Sequence, residues 1–318
     1  SALDHVWTSR LDTSLTPTRW TDIGPLKKIL MDSVPDVTAR GPGTPVVAIV
    51  RGIHGDEPSG VRAVERLRRA IGRGEFDLQR GIALVVGNPP AVAAGVRYLD
   101  SDLNRSFPGD IGGDREHRLA AQILDDTRDL FTLTLHSTNS VDDPIALFDS
   151  AQDGMLEYAS DLPVPYVVDH RSAASGSYAE VNQVLTVEAG RQGTEAAAVM
   201  AEELAIEFLR VTDVLEGAPQ SMDSTYYAMD TEMPKPYAEE YELLVDNFEL
   251  VSRDSPYARV DGDLVYADTE FYPILMSSSG YEDIFGFKGH WLGESVTEAR
   301  ATIAAERGDM MGESATDH

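Results

Sequence analysis

Apolar and polar positions alternate between two patterns from about residue 45 to residue 215. The stretch "PVVAIVRGIH" (45–54) is an unbroken apolar run ended by polar residues, as in a strand buried on both faces. In "EPSGVRAVERLRRAIGRG" (57–74) the apolar residues recur at helical spacing, with Pro58 in the first turn and Gly72 and Gly74 at the close. A second strand is predicted over "GIALVVGNP" (81–89), halted by Asn88-Pro89-Pro90, with a long loop running through residue 110. A helix follows over 114–129, then strands over 130–138, 144–150, 164–170 and 182–190, and a closing helix over 193–215. Short apolar strands between amphipathic helices predict an α/β fold with a mixed or mostly parallel central sheet flanked by helices.

Beyond residue 215 the pattern changes. "YELLVDNFELVSR", "YARVDGDLVYAD" and "FYPILMSSSGY" are short, aromatic and β-rich, separated by Asp-Gly and Ser-Pro turn signals. The expected division is an α/β domain over 1–215 and a smaller β-rich C-terminal domain over 216–318, whose last stretch is one helix and a frayed end.

Charge alters the picture most. The 318 residues carry 54 acidic against 26 basic side chains, a formal net charge of −28, and only four of the bases are lysine (27, 28, 235 and 288). Such a field argues against nucleic acid and anionic membranes as partners. The acids are spread along the chain, which suits a salt-loving origin, where about 1 M salt shortens screening to roughly 3 Å. No apolar stretch approaches the roughly 20 residues of a membrane span, and no leader pattern is evident. The expectation is a soluble, cytoplasmic protein; whether it forms homo-oligomers is left open. With no cysteine, disulfides and thiolate chemistry are excluded, and any metal must be held by His, Asp or Glu.

Of seven histidines, His54 and His136 sit at the ends of predicted central strands, where ligands gather in open α/β sheets. Glu57 follows His54 across a strand-to-helix turn, and that spacing can aim an imidazole and a carboxylate at one point. Two His and one Glu match a catalytic zinc site that keeps one position for water. The helical His-Glu-x-x-His spacing is absent. The loop "GVRYLDSDLNRSFPGD" (95–110) spends two of the scarce bases, Arg97 and Arg105, beside Asn104. That composition suits a pocket for an anionic substrate inside a negative protein. Glu188, near the end of a further strand, is a candidate general base.

"GIHGDE", "DLNRSFPG", "TLHS" and "VEAG" occur in the order and approximate spacing of the succinylglutamate desuccinylase/aspartoacylase family, which this chain resembles over roughly residues 45–290. These are zinc amidohydrolases related to the metallocarboxypeptidases. The resemblance implies a carboxypeptidase-like sheet and one zinc ion held by His54, Glu57 and His136. It implies Glu188 as the general base for the attacking water and later the acid for the leaving amine, with Arg97 polarising the scissile carbonyl. Asn104 and Arg105 would grip a substrate carboxylate, and "FYPILMSSSGYED" would supply a substrate-binding tyrosine, Tyr281 in preference to Tyr272.

Two features depart from the family pattern. Arg51 stands where a small residue is usual, free to enter the pocket or to point away. The family's additional carboxylate-binding arginine has no clear match, Arg171 being the nearest. The expected function is hydrolysis of the amide bond of an N-acyl amino acid or similar small anionic amide. The alternatives are a carboxypeptidase-like enzyme acting on short peptides and a zinc-binding protein without catalysis.

Overall fold

In the computed structural model, which describes residues 35–170, 173 and 175–314 (side chains through 307), strands and helices alternate as the pattern predicts. The first half runs β1 (Asp36–Arg40), β2 (Pro45–Arg51), α1 (Pro58–Gly72), β3 (Gly81–Val86), α2 (Pro89–Ala94), α3 (Arg115–Asp126) and β4 (Phe131–Thr138). It continues with β5 (Ile145–Phe148), α4 (Met155–Ser160), β6 (Tyr166–Asp169), β7 (Val184–Arg191) and α5 (Glu195–Val211). The remainder is β8 (Thr225–Pro234), β9 (Tyr241–Leu243), β10 (Pro256–Val260), β11 (Asp263–Tyr266), β12 (Tyr272–Ile274), β13 (Ile284–Gly293) and α6 (Val296–Ser314).

Ten strands form one mixed sheet in the order β1-β3-β2-β4-β7-β5-β6-β8-β13-β12. Its centre, β3-β2-β4-β7, is parallel, and β5 joins antiparallel to β7. The smaller sheet, β11-β10-β9, is antiparallel. Strands β8, β12 and β13, all beyond residue 216, extend the large sheet through the parallel β6–β8 pairing. Among the described residues no helix is long and apolar enough to cross a membrane.

The unbroken apolar runs have a direct cause. Successive residues of a strand face opposite sides of the sheet, and here both sides are covered. Val47 and Ile49 of β2 join Leu133, Leu185, Leu67 and Phe208 in a core beneath α1 and α5. Ala48 and Val50 join Val85, Leu119, Ile123 and Tyr178 in a second core on the opposite face. Each fully buried Leu or Phe contributes about 1.5–3 kcal/mol, so a polar residue anywhere in β2 would be costly.

Two local readings are revised by the structure. Asn88-Pro89-Pro90 does end β3, but the residues beyond it open α2 instead of continuing as loop: Asn88 caps the helix by accepting from the Ala91 N–H, and Pro occupies its first turn, where a missing N–H costs nothing. In "YELLVDNFELVSR" only Tyr241–Leu243 is a strand, and Val251 makes an isolated bridge to Phe271. The Asp-Gly signal held: Asp261 and Gly262 both take positive φ, 48° and 90°, in the turn joining β10 to β11, as a two-residue hairpin requires.

Candidate functional site

The chain leaves β2 through Gly52 and enters α1 at Pro58, and the turn between them carries His54 and Glu57. Glu57 occupies the helix N-cap but makes no capping bond. Its carboxylate is turned the other way, into the protein. Helix capping, typically about 1 kcal/mol, is forgone in favour of other partners. The turn also needs glycine at position 55: a Cβ there would lie 2.1 Å from the backbone carbon of Ala91 in α2.

Those partners are two imidazoles. His54 Nδ1 lies 2.6 Å from Glu57 Oε1, and His136 Nδ1, on adjacent strand β4, lies 3.1 Å from Glu57 Oε2. The Ser137 N–H donates to the same Oε2 at 3.1 Å. The two rings meet edge-on with centroids 5.1 Å apart. All three residues are buried, and one ligand atom from each falls within 4.8 Å of the others. Burial alone would push the His54 imidazole down, but the Glu57 carboxylate and the bond to Asp102 outweigh it and raise its pKa to about 9. Burial would raise Glu57, and the two imidazoles more than reverse that, holding it well below the usual carboxylate range. Two imidazole nitrogens and a carboxylate, buried and convergent, are a donor set that fits a divalent ion of the zinc type.

A residue assigned no role from sequence completes the arrangement. Asp102 Oδ1 lies 3.1 Å from His54 Nε2, and its other oxygen accepts from Arg97 Nε at 3.1 Å. A carboxylate on the outer nitrogen of a metal-binding histidine fixes the tautomer and frees the inner nitrogen for the ion. Asp102 in turn accepts from the Asn104 N–H at 2.8 Å, opening the 3-10 turn Leu103–Arg105. The loop itself is organised by Glu116 of α3, which is fully buried. Its carboxylate accepts from the backbone N–H groups of Leu99, Asp100 and Ser101 and from the Asn88 side chain.

One cavity, of about 110 Å³, brings together eight of the residues singled out from the sequence: His54, Glu57, His136, Glu188, Arg97, and with them Asn104, Arg105 and Tyr281. Glu188 lies three residues before the end of β7, registered beside His136 of β4. Its Oε2 is buried and has no hydrogen-bond partner among the described residues. Burial, with the nearby Glu57 charge, pushes its pKa up to about 8. Arg97 also approaches Glu57, Nη1 to Oε1 being 3.6 Å. Tyr281 reaches the cavity, whereas Tyr272 rests on Tyr227 in the apolar cluster, with ring centroids 5.2 Å apart. Arg51 is not among the lining residues: it is buried and pairs with Glu65 of α1 at 3.8 Å. Arg171 lies outside the described residues.

Residues 43–212 match the family model of the succinylglutamate desuccinylase/aspartoacylase catalytic domain. The succinylglutamate desuccinylase of Burkholderia pseudomallei (strain 1710b) is 41% identical over 80 residues, 24% of this chain and 23% of that protein. The chain thus matches such relatives over about a quarter of their length. Among solved structures, a succinylglutamate desuccinylase/aspartoacylase from Rhodobacter sphaeroides superposes with a TM-score of 0.66 at 17% identity, covering 81% of this chain and 89% of the other. The ectoine utilization protein EutE (DoeB) of Ruegeria pomeroyi, in a product-bound structure, gives a TM-score of 0.65 at 21% identity, covering 80% and 88%. At these identities the likeness is one of fold.

Proposed function

The chain belongs to the succinylglutamate desuccinylase/aspartoacylase family, and from that membership we propose that it is a zinc-dependent hydrolase of the amide bond of an N-acyl amino acid. His54, Glu57 and His136 would hold the ion. When bound, it supplies Lewis acidity, which lowers the pKa of water from about 15.7 toward 7.

The chain's own side chains do the rest. Glu188 takes a proton from the attacking water and returns it to the leaving nitrogen as the C–N bond breaks, so the products are a carboxylate and a free amine. Arg97, held by Asp102, presents its guanidinium to the carbonyl oxygen as negative charge develops there. Asn104 and Arg105 engage the carboxylate of the amino-acid portion. Tyr281, whose pKa burial keeps above its ordinary value, remains a neutral hydrogen-bond donor.

One observation carries the reading: Glu188, whose buried Oε2 has no partner among the described residues, lines the same cavity as the donor trio. The test is Glu188→Gln with its zinc content measured. We expect full metal occupancy and a fall in kcat of about 10²–10⁴-fold on N-acyl amino acids. Near-normal turnover at full occupancy would remove Glu188 from the reaction.

A further inference from the structure

The cavity has two unlike sides. Toward β4 and β7 it is walled by the donor trio, Arg97 and Glu188. Leu147 of β5, Met229 of β8, Leu275 after β12 and Phe287 of β13 also line it, and all four belong to one apolar cluster. Sheet order produces this wall. Leu147 is registered beside Thr186, two residues before Glu188 on β7, and β6, β8 and β13 follow beyond β5. His170, just past β6, also lines the cavity and adds no cation there, because burial lowers its pKa despite the nearby Asp149 and Asp169.

Cations open to a substrate are few among the described residues of the cavity. Among the described lining residues, the cations besides histidine are Arg97 and Arg105. Arg97 is already engaged by Asp102 and Glu57. Arg105 forms no ion pair among the described residues, and its Nη1 donates to the carbonyl of Asn104. Among the described residues, one cation is therefore open to a substrate carboxylate. A second carboxylate set against Leu147 and Phe287 would lose its water against apolar side chains, with no further arginine or lysine among the described lining residues to pair with it.

Resting on the hydrolase reading above, we infer that the substrate is a monocarboxylic N-acyl amino acid whose remaining bulk is apolar and lies against Leu147, Met229, Leu275 and Phe287. The wall selects against a second carboxylate as much as it favours the apolar group.

The experiment compares four amides on the zinc-loaded full chain: N-acetyl-L-leucine, N-isovaleryl-glycine, N-acetyl-L-aspartate and N-succinyl-L-glutamate. The first two place the apolar group on opposite sides of the scissile bond. Binding of the same four to zinc-loaded Glu188→Gln is measured by calorimetry, a readout independent of turnover. At least one apolar amide is expected to exceed both dicarboxylates by about tenfold or more in kcat/KM, since one well-placed methylene is worth about 10–200-fold, with the same order in affinity. A preference for either dicarboxylate in both measurements overturns the inference and leaves the hydrolase reading standing. Hydrolysis of none of the four by zinc-saturated protein overturns both. Leu147→Lys adds a cation to the wall and should move the ratio about tenfold toward the dicarboxylates. A soluble, folded variant with an unchanged ratio would remove Leu147 from substrate contact, and the wild-type comparison decides the matter even if that variant does not fold.

Discussion

Replacing Asp102 with Asn tests how far the site depends on a residue that touches neither ion nor substrate. Asp102 makes a fan of contacts: 3.1 Å to His54 Nε2, 3.1 Å to both Arg97 Nε and Nη2, and 2.8 Å from the Asn104 N–H. Asparagine keeps an oxygen for Asn104 and His54 but turns an NH₂ toward the guanidinium, setting donor against donor. The loss at Arg97 is a charge-assisted pair of about 1.5–3 kcal/mol. Because the Arg97 side chain is 34% exposed, solvent screening cuts the stability cost to about 1 kcal/mol. The functional effects are larger. With the outer nitrogen of His54 less firmly held, zinc affinity should weaken about 10–100-fold, measured by competition with a chromophoric chelator. At saturating zinc, kcat should still fall, because Arg97 is no longer held against the developing oxyanion, while circular dichroism stays unchanged. A variant with the wild-type zinc Kd and the wild-type kcat would refute the positioning role.

Three further outcomes follow from the same structure. Gly55→Ala forces a Cβ to within 2.1 Å of the α2 backbone, so the His54–Glu57 turn must shift; we expect a loss of about 3 kcal/mol or more in chemical denaturation, and a loss under 0.5 kcal/mol would show that the turn yields freely. His290 of β13 bridges Asp230 of β8, at 2.8 Å, and Glu306 of α6, at 2.7 Å, and the bond to Asp230 is the main cause that raises its pKa from 6.5 to about 9. A raised folded-state pKa contributes stability that is complete below about pH 6.5 and lost as pH rises through about 9; with the side chain 40% exposed, His290→Gln should cost about 1 kcal/mol at pH 6 after screening and little at pH 10, and equal losses at both would contradict the charge argument. Finally, the net charge of −28 should make the wild-type melting temperature rise steadily from 0.1 M to 2 M KCl as self-repulsion is screened; a flat or falling profile would count against adaptation to salt.

What could be read in the sequence, and what could not, divides by how rare each residue type is in this chain. Histidine is scarce and cysteine absent, so two histidines at strand ends stood out, and Glu57 was found through its spacing to one of them. Arg97 and Arg105 were visible for a related reason, as bases in a chain with few. Asp102 and Glu116 are two acids among 54: Asp102 sits in the loop marked by Arg97 and Arg105 but nothing in its spacing sets it apart from Asp100, and Glu116 lies on an ordinary amphipathic helix. Glu116 acquires its role only when α3 brings it beneath three backbone N–H groups of a loop that precedes it by about 15 residues. The α2 helix was missed because Asn-Pro-Pro closes a strand and opens a helix with the same chemistry. The apolar wall of the cavity was hidden for a different reason. Leu147, Met229 and Phe287 look like ordinary core residues of three separate strands, and only the sheet order, which folds β8 and β13 back beside β5 and β6, turns part of that core toward Glu188. The reaction class rests on uncommon residues that a sequence displays, whereas the choice of substrate rests on common ones that acquire meaning through topology.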